Sequence, residues 1–346
     1  MQPRSRTTIR DVARQAGVSV ATVSKVLNNR YGVAAATYAH VQKVISELGY
    51  EASLVAQSLR NHQTNVIGIL VADLEPFSTE LLKGAADAIR GTGFELVIYS
   101  AGGRTGEHEG WERRYLSRLS GTLIDGAVLV TPTIVDVDYG SPFVAVDPHT
   151  GTSTTPTIDA DNLRGAHLAT EHLLELGHTR IAMLTGRHDL QSSRLREQGY
   201  RQALRKAQLS IDEELILPGE YNSGPSRDSA RRMLSMSDPP TAIFAANDIS
   251  AITTMAVADE LGLGVPDDLS VVGFDNIPEA ALSSPGLTTV EQPIREMGKR
   301  SVEMLIELIR GRSLQETHLT LDTRLLVRGS TSAPKSSISN GARRDS

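Results

Sequence analysis

The chain has 346 residues, of which 40% are apolar and 22% charged, a globular composition long enough for two or three domains of roughly 100–200 residues each. It contains no cysteine, which excludes disulfide bonds, thiolate metal sites and cysteine nucleophiles, and no apolar run approaches the ~18 residues of a membrane span. The net charge of −6 is unevenly divided, because residues 1–62 carry +5 and the remainder −11. A basic head on an acidic body is typical of a nucleic-acid module joined to a different domain, although charge alone leaves a chance imbalance open.

The first predicted element is a short amphipathic helix over residues 9–16, whose apolar residues recur at the spacing i, i+3, i+4 and i+7. Thr8 can cap its start, and Gly17 follows where a helix end favours a left-handed residue. A second helix begins after Ser19, which also suits a cap. Its outward face carries small and polar side chains that would let the backbone approach a flat surface: Val20, Ala21, Ser24, Lys25 and Asn28.

A third helix is predicted at about residues 35–48, where Val41, Val44, Ile45 and Leu48 repeat the apolar stripe. Two helices joined by a tight glycine turn and braced by a third form a helix-turn-helix, whose second helix enters the major groove of DNA. These residues therefore predict a DNA-binding headpiece. A three-helix bundle with a purely structural role is the alternative interpretation.

Three runs of fixed spacing make the pattern specific: Thr8–Ala13, Ala16–Ser19 and Ala21–Asn28. Together they resemble the headpiece of the lactose-repressor (LacI/GalR) family of transcription regulators at about twenty positions. The resemblance implies that Val20, Ala21 and Lys25 read bases, with the lysine donating to guanine and the apolar pair touching a thymine methyl. It implies phosphate contacts, which position the protein without specifying sequence, for Thr8, Ser19, Thr22, Ser24 and Asn28. Lys25 stands where the family commonly has arginine, so softer base discrimination is expected.

The headpiece is followed by a linker over residues 51–62. Residues 49–60 resemble the family's hinge helix, which orders on operator DNA and inserts a leucine into the minor groove. The matching leucine is Leu59, and an apolar wedge at that position would unstack a base step and bend the duplex. For the protein without DNA, a helical linker is the preferred interpretation of residues 53–60.

From residue 65 onward, short apolar runs alternate with amphipathic helical segments. Seven runs are predicted strands: residues 66–71, 94–99, 126–130, 143–146, 181–184, 242–245 and 270–274. Near-continuous apolar strands separated by helices indicate parallel sheets covered on both faces. A stretch rich in Gly, Ser, Thr and Pro at residues 151–161 separates the first four strands from the last three. The sequence therefore predicts an α/β fold of two doubly wound lobes, with a ligand crevice at the carboxyl ends of the strands.

The resemblance continues through the body in four segments: residues 161–182, 246–248, 271–276 and 287–293. It implies lobes like those of periplasmic sugar-binding proteins, joined by chain crossings near 156, 290 and 320. The expected domains are a headpiece (1–50), a hinge (51–62), an effector-binding and dimerisation domain (63–330) and a disordered Ser-rich tail (331–346). Lobe one would comprise about 63–155 and 291–320, and lobe two about 157–290 and 321–330.

The resemblance also assigns effector contacts. Arg196 matches the family's effector arginine, whose planar guanidinium can clamp two hydroxyls or a carboxylate. Asn247 and Asp275 follow apolar strands and match effector-contacting positions. Further matches are Ser192, Asp147 and Gln292, with Tyr221 and Phe77 as aromatic residues for stacking on the ligand. A structural role is the alternative for each, since Asn247 and Asp275 can also cap helices.

Motifs of other classes are missing from the sequence: no Gly-rich phosphate loop, no Gly-x-Ser-x-Gly elbow and no glycosidase-like carboxylate pair is recognisable. We therefore expect no enzymatic activity, no cofactor and no metal. The prediction is a cytoplasmic homodimeric repressor that binds pseudo-palindromic operator DNA, is controlled by a small sugar or oligosaccharide, and has no membrane partner. A sugar-transport protein and an enzyme on a doubly wound fold are the rival classes, and a DNA-binding assay would separate them.

Overall fold

The computed structural model describes residues 7–27, 30–50, 63–101, 111–120, 123–133, 140–149 and 154–335. The chain divides into an N-terminal unit, which extends to Thr64 and also takes in the short segment that ends at Ile124, and a larger effector unit. The predicted hinge, including Leu59, lies outside the described residues, as does Asn28.

The N-terminal unit contains three helices, as predicted: α1 (Ile9–Ala16), α2 (Val20–Leu27) and α3 (Ala35–Leu48). A capping box starts α1, because the Asp11 carboxylate accepts hydrogen bonds from the Thr8 backbone N–H (3.0 Å) and hydroxyl (2.6 Å). Gly17 ends α1 in the left-handed region, at φ +64°. The three helices share a small core of mainly valine side chains: Val12, Val23, Val26, Val41 and Val44.

The effector unit contains two six-stranded sheets, one in each lobe. The sheet of lobe one is parallel throughout, in the order β11-β5-β4-β3-β1-β2. Its strands are β1 (Val66–Val71), β2 (Glu95–Ser100), β3 (Gly126–Val130), β4 (Phe143–Val146), β5 (Thr157–Ala160) and β11 (His318–Leu321). Its helices are α4 (Pro76–Ala88), α5 (Trp111–Leu119) and α11 (Ile294–Ile309).

Close packing of α4 against α11 depends on two glycines. A Cβ at Gly84 would lie 1.8 Å from the Arg295 carbonyl oxygen, and one at Gly298 would lie 2.1 Å from that of Leu81. The two backbones are in direct contact at these positions, and only glycine leaves room for this contact. A segment from late in the chain is thereby fixed onto the early half of lobe one.

Lobe two repeats the design with a sheet in the order β12-β10-β9-β8-β6-β7, in which only β12 is antiparallel to its neighbour. Its strands are β6 (Ile181–Thr185), β7 (Ile216–Pro218), β8 (Ala242–Ala245), β9 (Ser270–Asp275), β10 (Thr288–Glu291) and β12 (Arg324–Leu326). Its helices are α6 (Asn162–Glu175), α7 (Gln191–Lys206), α8 (Ser223–Leu234), α9 (Asp248–Glu260) and α10 (Pro278–Leu282), with a short 3-10 turn at Glu213–Leu215. Two apolar clusters, one on each face, cover the sheet.

The chain passes between the lobes three times: between β5 and α6, between β10 and α11, and between β11 and β12. The first crossing lies near residue 161 rather than 156. Residues 157–160, which the sequence assigned to lobe two, form β5 of lobe one and pair with β4 and β11. The polar stretch at 151–156 is therefore a loop inside lobe one and not the boundary between the lobes.

The C-terminal segment also differs from the prediction of a tail that is disordered from residue 331. The Ser332 N–H donates to the Ser270 hydroxyl (3.0 Å), and the Lys335 ammonium pairs with Asp268 (2.5 Å). His178, which is buried, contacts the Ser332 carbonyl at 2.9 Å. These polar contacts hold residues 331–335 on lobe two, and residues 336–346 lie outside the described part. None of the helices in the described residues is long and apolar enough to span a membrane.

Candidate functional site

Helix α2 presents the side chains that the sequence nominates for base reading. Val20 is 43% exposed, and Ala21 and Lys25 are also exposed. Val23 and Val26 occupy the opposite face in the core, because helical spacing separates the two sets. An exposed stripe of two small apolar residues and one cation remains available for a partner.

Three of the predicted phosphate contacts, Thr8, Ser19 and Thr22, lie around the starts of α1 and α2. Thr8 is exposed and engaged in the capping box, while the Ser19 hydroxyl accepts the Thr22 N–H at 3.1 Å and lies 2.9 Å from the Thr22 hydroxyl. Thr22 and Ser24 are half-buried. Helix starts collect backbone N–H groups and favour anions, so this placement suits phosphate.

In the effector unit, a cavity of about 790 Å³ lies at the carboxyl ends of strands from both lobes. Lobe one contributes the turn after β1, with further residues after β3 and β4. Lobe two contributes the loops after β6, β7, β8 and β9. Seven of the eight predicted effector residues line it: Phe77, Asp147, Ser192, Arg196, Tyr221, Asn247 and Asp275. Residues more than a hundred positions apart thus meet where parallel sheets place their ligand sites.

Arg196 is the most constrained of these residues, with 4% of its surface exposed. Its guanidinium carbon lies 3.8 Å from the centroid of the Phe274 ring. Nε donates to the Asn162 side-chain oxygen (2.8 Å), and Nη1 donates to the Ala246 carbonyl and to Asp275 Oδ1 (3.4 Å). The fork is therefore held in one orientation before any ligand arrives.

Two carboxylates flank this arginine, and both occupy left-handed backbone, Asp275 at φ +113° and Asp147 at φ +48°. Burial raises the pKa of Asp275 to about 6, opposed by the Arg196 charge and by a hydrogen bond from Gln292. Burial also raises the pKa of Asp147, opposed by Arg196 and by a hydrogen bond from the Ser192 hydroxyl (3.0 Å). Strained backbone at strand ends of this kind is characteristic of functional sites.

Asn247 and Tyr221 line the cavity and also stabilise the local structure around it. The Asn247 side-chain oxygen caps α9 by accepting the Ser250 N–H (3.0 Å), and its amide donates to the Tyr221 carbonyl (3.4 Å). The Tyr221 ring lies directly against Gly186, where a Cβ would come within 2.1 Å of the ring. The glycine therefore makes room for the aromatic ring at the wall of the cavity.

Gln292 differs from the other seven predicted effector residues, because it is absent from the cavity lining. It is 5% exposed and donates from Nε2 to Asp275 Oδ1. In the described structure it therefore supports a lining carboxylate from behind. It also stands at the second crossing between the lobes, directly after β10.

The cavity has a second group of polar lining residues that sequence reasoning missed: Asp73, Glu75, Arg187, His188, Asp189, Glu220 and Asn222. Glu75 keeps exposed surface at the cavity mouth, but the surrounding protein partly desolvates its carboxyl group and raises its pKa to about 7, and the charges of Asp275, Asp73 and Asp147 add to the effect. Arg187 and Asp189 form a two-point ion pair at 3.1 and 2.6 Å. Asp73, Glu75 and Arg187–Asp189 come shortly after predicted strands, which was the available signal for them, whereas Glu220 and Asn222 follow β7, a strand that was not predicted.

The lobes are bridged along one side of the cavity, between the loop after β4 and the start of α7. The Ser192–Asp147 hydrogen bond is one link, and the Arg194 guanidinium donates to the His149 carbonyl (2.9 Å) as a second. The His149 ring lies 3.1 Å from the Asp189 carboxylate as a third. Burial lowers the pKa of His149 to about 4, although Asp189 opposes the shift.

Within the described residues, no group of three or more His, Asp or Glu side chains could hold a metal ion.

A three-helix headpiece whose second helix exposes one face, together with a two-lobed unit that encloses a polar cavity, is typical of ligand-responsive DNA-binding regulators. Comparison with known proteins agrees. Residues 8–53 match the family described as "Bacterial regulatory proteins, lacI family", and residues 170–331 match a "Periplasmic binding protein-like domain". The chain belongs to the LacI family of bacterial transcriptional repressors.

Relatives align over nearly the whole chain. The HTH-type transcriptional repressor PurR of Photobacterium profundum is 33% identical over 93% of this chain and 98% of its own length. The ribose operon repressor of Halalkalibacterium halodurans is 34% identical over 96% and 99%. Among solved structures, a Lac repressor dimer bound to operator and the anti-inducer ONPF superimposes with a TM-score of 0.82 (28% identity, 95% and 100% covered). A CelR–cellobiose complex gives 0.69 (32% identity, 94% and 100%).

Proposed function

We propose that this repressor is a homodimer that binds a pseudo-palindromic operator through α2, and that a carbohydrate held in the cavity sets its operator affinity. The observation that carries the proposal is the preset Arg196–Asp275 pair at the wall of the cavity. A fixed guanidinium beside carboxylate acceptors can bind adjacent sugar hydroxyls, with the arginine donating and the carboxylates accepting. Similar regulators whose structures contain cellobiose or ribose support this ligand class.

The DNA contacts in this proposal follow the exposed face of α2. Lys25 donates to a guanine edge, while Val20 and Ala21 contact a thymine methyl group. Thr8, Ser19, Thr22, Ser24 and Asn28 contact phosphates and fix the register. Leu59 enters the minor groove as a wedge, so Leu59→Ala should reduce the operator bend in circular-permutation gel shifts while leaving carbohydrate affinity unchanged. An unaltered bend would remove Leu59 from that role.

Dimerisation is proposed from apolar side chains that the described fold leaves uncovered. On the edge strand β2, Val97 is 40% and Ile98 49% exposed, and Leu282 at the end of α10 is 83% exposed. Uncovered apolar surface of this kind marks interaction sites, and the similar Lac repressor was solved as a dimer. Two-fold symmetry would then match the two half-sites of the operator. Ile98→Glu combined with Leu282→Glu should yield monomers in analytical ultracentrifugation.

Control of DNA binding by ligand requires that the ligand distinguish two arrangements of the lobes. Two residues bonded to the proposed ligand contacts stand at lobe crossings, Asn162 after the first and Gln292 at the second. A ligand that competes for or reinforces these hydrogen bonds would shift the crossing segments. In this proposal the protein acts in the cytoplasm and catalyses no reaction.

One experiment tests the proposal as a whole. Operator sequences are selected from random duplexes with the full-length protein, and the best operator is then titrated with and without each carbohydrate of a panel that raises the melting temperature. We expect a palindromic consensus and at least one carbohydrate that changes operator affinity in either direction. Failure to select any duplex would contradict the DNA role, and carbohydrates that neither stabilise the protein nor change operator affinity would contradict the effector class.

A further inference from the structure

The polar side chains that line the cavity fall into two groups that differ in burial. The inner group, Ser192, Arg196, Asn247 and Asp275, is between 1% and 7% exposed, and each member is hydrogen-bonded to its neighbours. The outer group is exposed and lies on loops at the cavity mouth: Asp73 and Glu75 of lobe one, and His188, Glu220 and Asn222 of lobe two. Binding groups are therefore supplied at two depths.

The cavity is large enough to hold a ligand that reaches both the inner and the outer group. Its volume of about 790 Å³ lies in the upper part of the ~300–1,000 Å³ range of small-molecule sites that enclose drug-sized ligands. The inner group alone offers a guanidinium fork, a carboxyl group, a hydroxyl and an amide, enough to satisfy the hydroxyls of one sugar ring. One ring bound there would leave the outer group in contact with water only.

The charge of the outer group restricts what can occupy the mouth. In the described part of the chain no basic side chain forms an ion pair with Asp73, Glu75 or Glu220. Arg187, which also lines the cavity, is paired with Asp189 and acts on Glu75 only at longer range, where its charge lowers the pKa of that group. The Asp73 and Glu220 carboxylates accept hydrogen bonds from hydroxyl groups and repel phosphate or carboxylate groups, while the Glu75 carboxyl, with its pKa of about 7, can donate as well as accept. A neutral hydroxyl-bearing ligand fits this mouth, whereas an anionic ligand does not.

From these observations we infer that the effector is a neutral glycoside of at least two sugar units, with one unit on the inner group and the next on the outer group. This inference rests on the proposed carbohydrate effector and specifies its length and charge. Arg196 and Asp275 would orient the inner unit. Glu75 and Glu220, from opposite lobes, would accept hydroxyls of the outer unit, so that the second sugar contacts both lobes at once.

Calorimetry with the full-length protein tests the inference directly. The panel contains ribose, glucose and galactose, neutral disaccharides joined through each common linkage, and glucose 6-phosphate. We expect at least one disaccharide to bind ten-fold or more tightly than its component monosaccharides, and glucose 6-phosphate to bind more weakly than glucose. A monosaccharide that binds as tightly as every disaccharide, or a sugar phosphate that binds best, would overturn the inference while leaving the carbohydrate effector intact. Absence of binding by any sugar would overturn the effector class as well.

Matched variants locate the second unit. Glu75→Ala should weaken the preferred disaccharide about ten-fold or more, by loss of a hydrogen bond to a charged group, and leave monosaccharide affinity unchanged. Glu220→Ala provides the same test from lobe two. Ser192→Ala, in the inner group, should weaken both kinds of sugar, and Glu95→Gln, exposed on β2 and absent from the cavity lining, should change neither. If both outer variants bind the disaccharide like the wild type, the outer unit is not held by these residues and the inference fails.

Discussion

The surface proposed to contact DNA and the cavity proposed to bind the effector are of opposite kinds. The reading face of α2 consists of exposed residues within one short helix, and the core beneath it is mostly valine. The inner part of the cavity consists of buried polar and charged groups that come from segments far apart in the chain. Exposed local contacts can be changed with little effect on folding. Buried charges that balance one another cannot, because removing one leaves its partner uncompensated.

The sharpest way to break this comparison is to separate the two units. Deletion of residues 1–62 should abolish operator binding entirely and leave a folded protein that binds the effector. The reason is that the lobes have their own apolar cores, while the net positive charge lies in the deleted segment. Gel shifts and calorimetry on the truncated protein provide the measurement. Residual operator affinity would show that the effector unit contacts DNA, and aggregation would show that the units fold together.

The next largest effect is expected inside the cavity. Arg196→Ala should weaken the effector by roughly two to four orders of magnitude, since it removes two charge-assisted hydrogen bonds of ~1.5–3 kcal/mol each. Operator binding should persist without a ligand response. The substitution also leaves Asp275 buried without its cation, which should lower the free energy of unfolding by roughly 3–5 kcal/mol.

A control for Arg196→Ala distinguishes loss of the ligand contact from loss of the fold. Asp275→Asn with Arg196→Ala removes the uncompensated carboxylate and should recover part of the lost stability without recovering affinity. Calorimetry and thermal melting of the single and double variants measure the two effects separately. Wild-type affinity in either variant would exclude Arg196 from the ligand site.

On the headpiece the expected effect is smaller and specific to sequence. Lys25→Ala should cost roughly 1–3 kcal/mol on the preferred operator and relax selection at one base pair per half-site. Lys43 on α3 is a matched exposed cation, 3.8 Å from Glu47, and Lys43→Ala should leave that base preference unchanged. Binding of both variants to operators mutated at each position is the measurement. Equal weakening on all sequences would indicate that Lys25 contacts phosphate only.

The same contrast explains what the sequence could predict. The bounds of α1 and α3 and the start of α2 were predictable, because caps, periodicity and the glycine turns are local. Strands β5, β7, β10, β11 and β12 were not among the seven predicted. They have only three or four residues, and polar side chains interrupt several of them. Their pairing partners, such as β5 with β11, are supplied by distant segments, so no local pattern marks them.

For the cavity, the inner group was found through family resemblance at strand ends, and the structure brings its members together. The outer group was missed, because residues such as Glu75 and Glu220 look like ordinary solvent-exposed charges until the topology places two lobes around them. Gln292 illustrates the complementary case. The resemblance nominates it as an effector contact, and in the described structure it donates to Asp275 Oδ1 from behind the cavity lining, a position that only three-dimensional packing reveals.

The smallest expected effect concerns pH and the bridge between the lobes. Because the pKa of His149 is about 4 in the folded chain and 6.5 is the ordinary value, the unfolded chain binds more protons than the folded one between these values. The contribution of His149 to the free energy of unfolding therefore decreases as pH falls from about 6.5 towards 4.

Other groups, including Glu75 with its raised pKa, contribute to the pH dependence with the opposite sign. The measurement is therefore the difference between the wild type and His149→Gln. The variant, which cannot be protonated there, should lose less stability on acidification, by on the order of 1 kcal/mol. Unfolding midpoints at pH 7 and pH 5 give this difference, with His188→Gln as a control because His188 is exposed at the cavity mouth. Identical pH dependence in wild type and His149→Gln would mean that His149 is accessible to water in solution, and hence that the bridge between the loop after β4 and α7 opens readily without ligand.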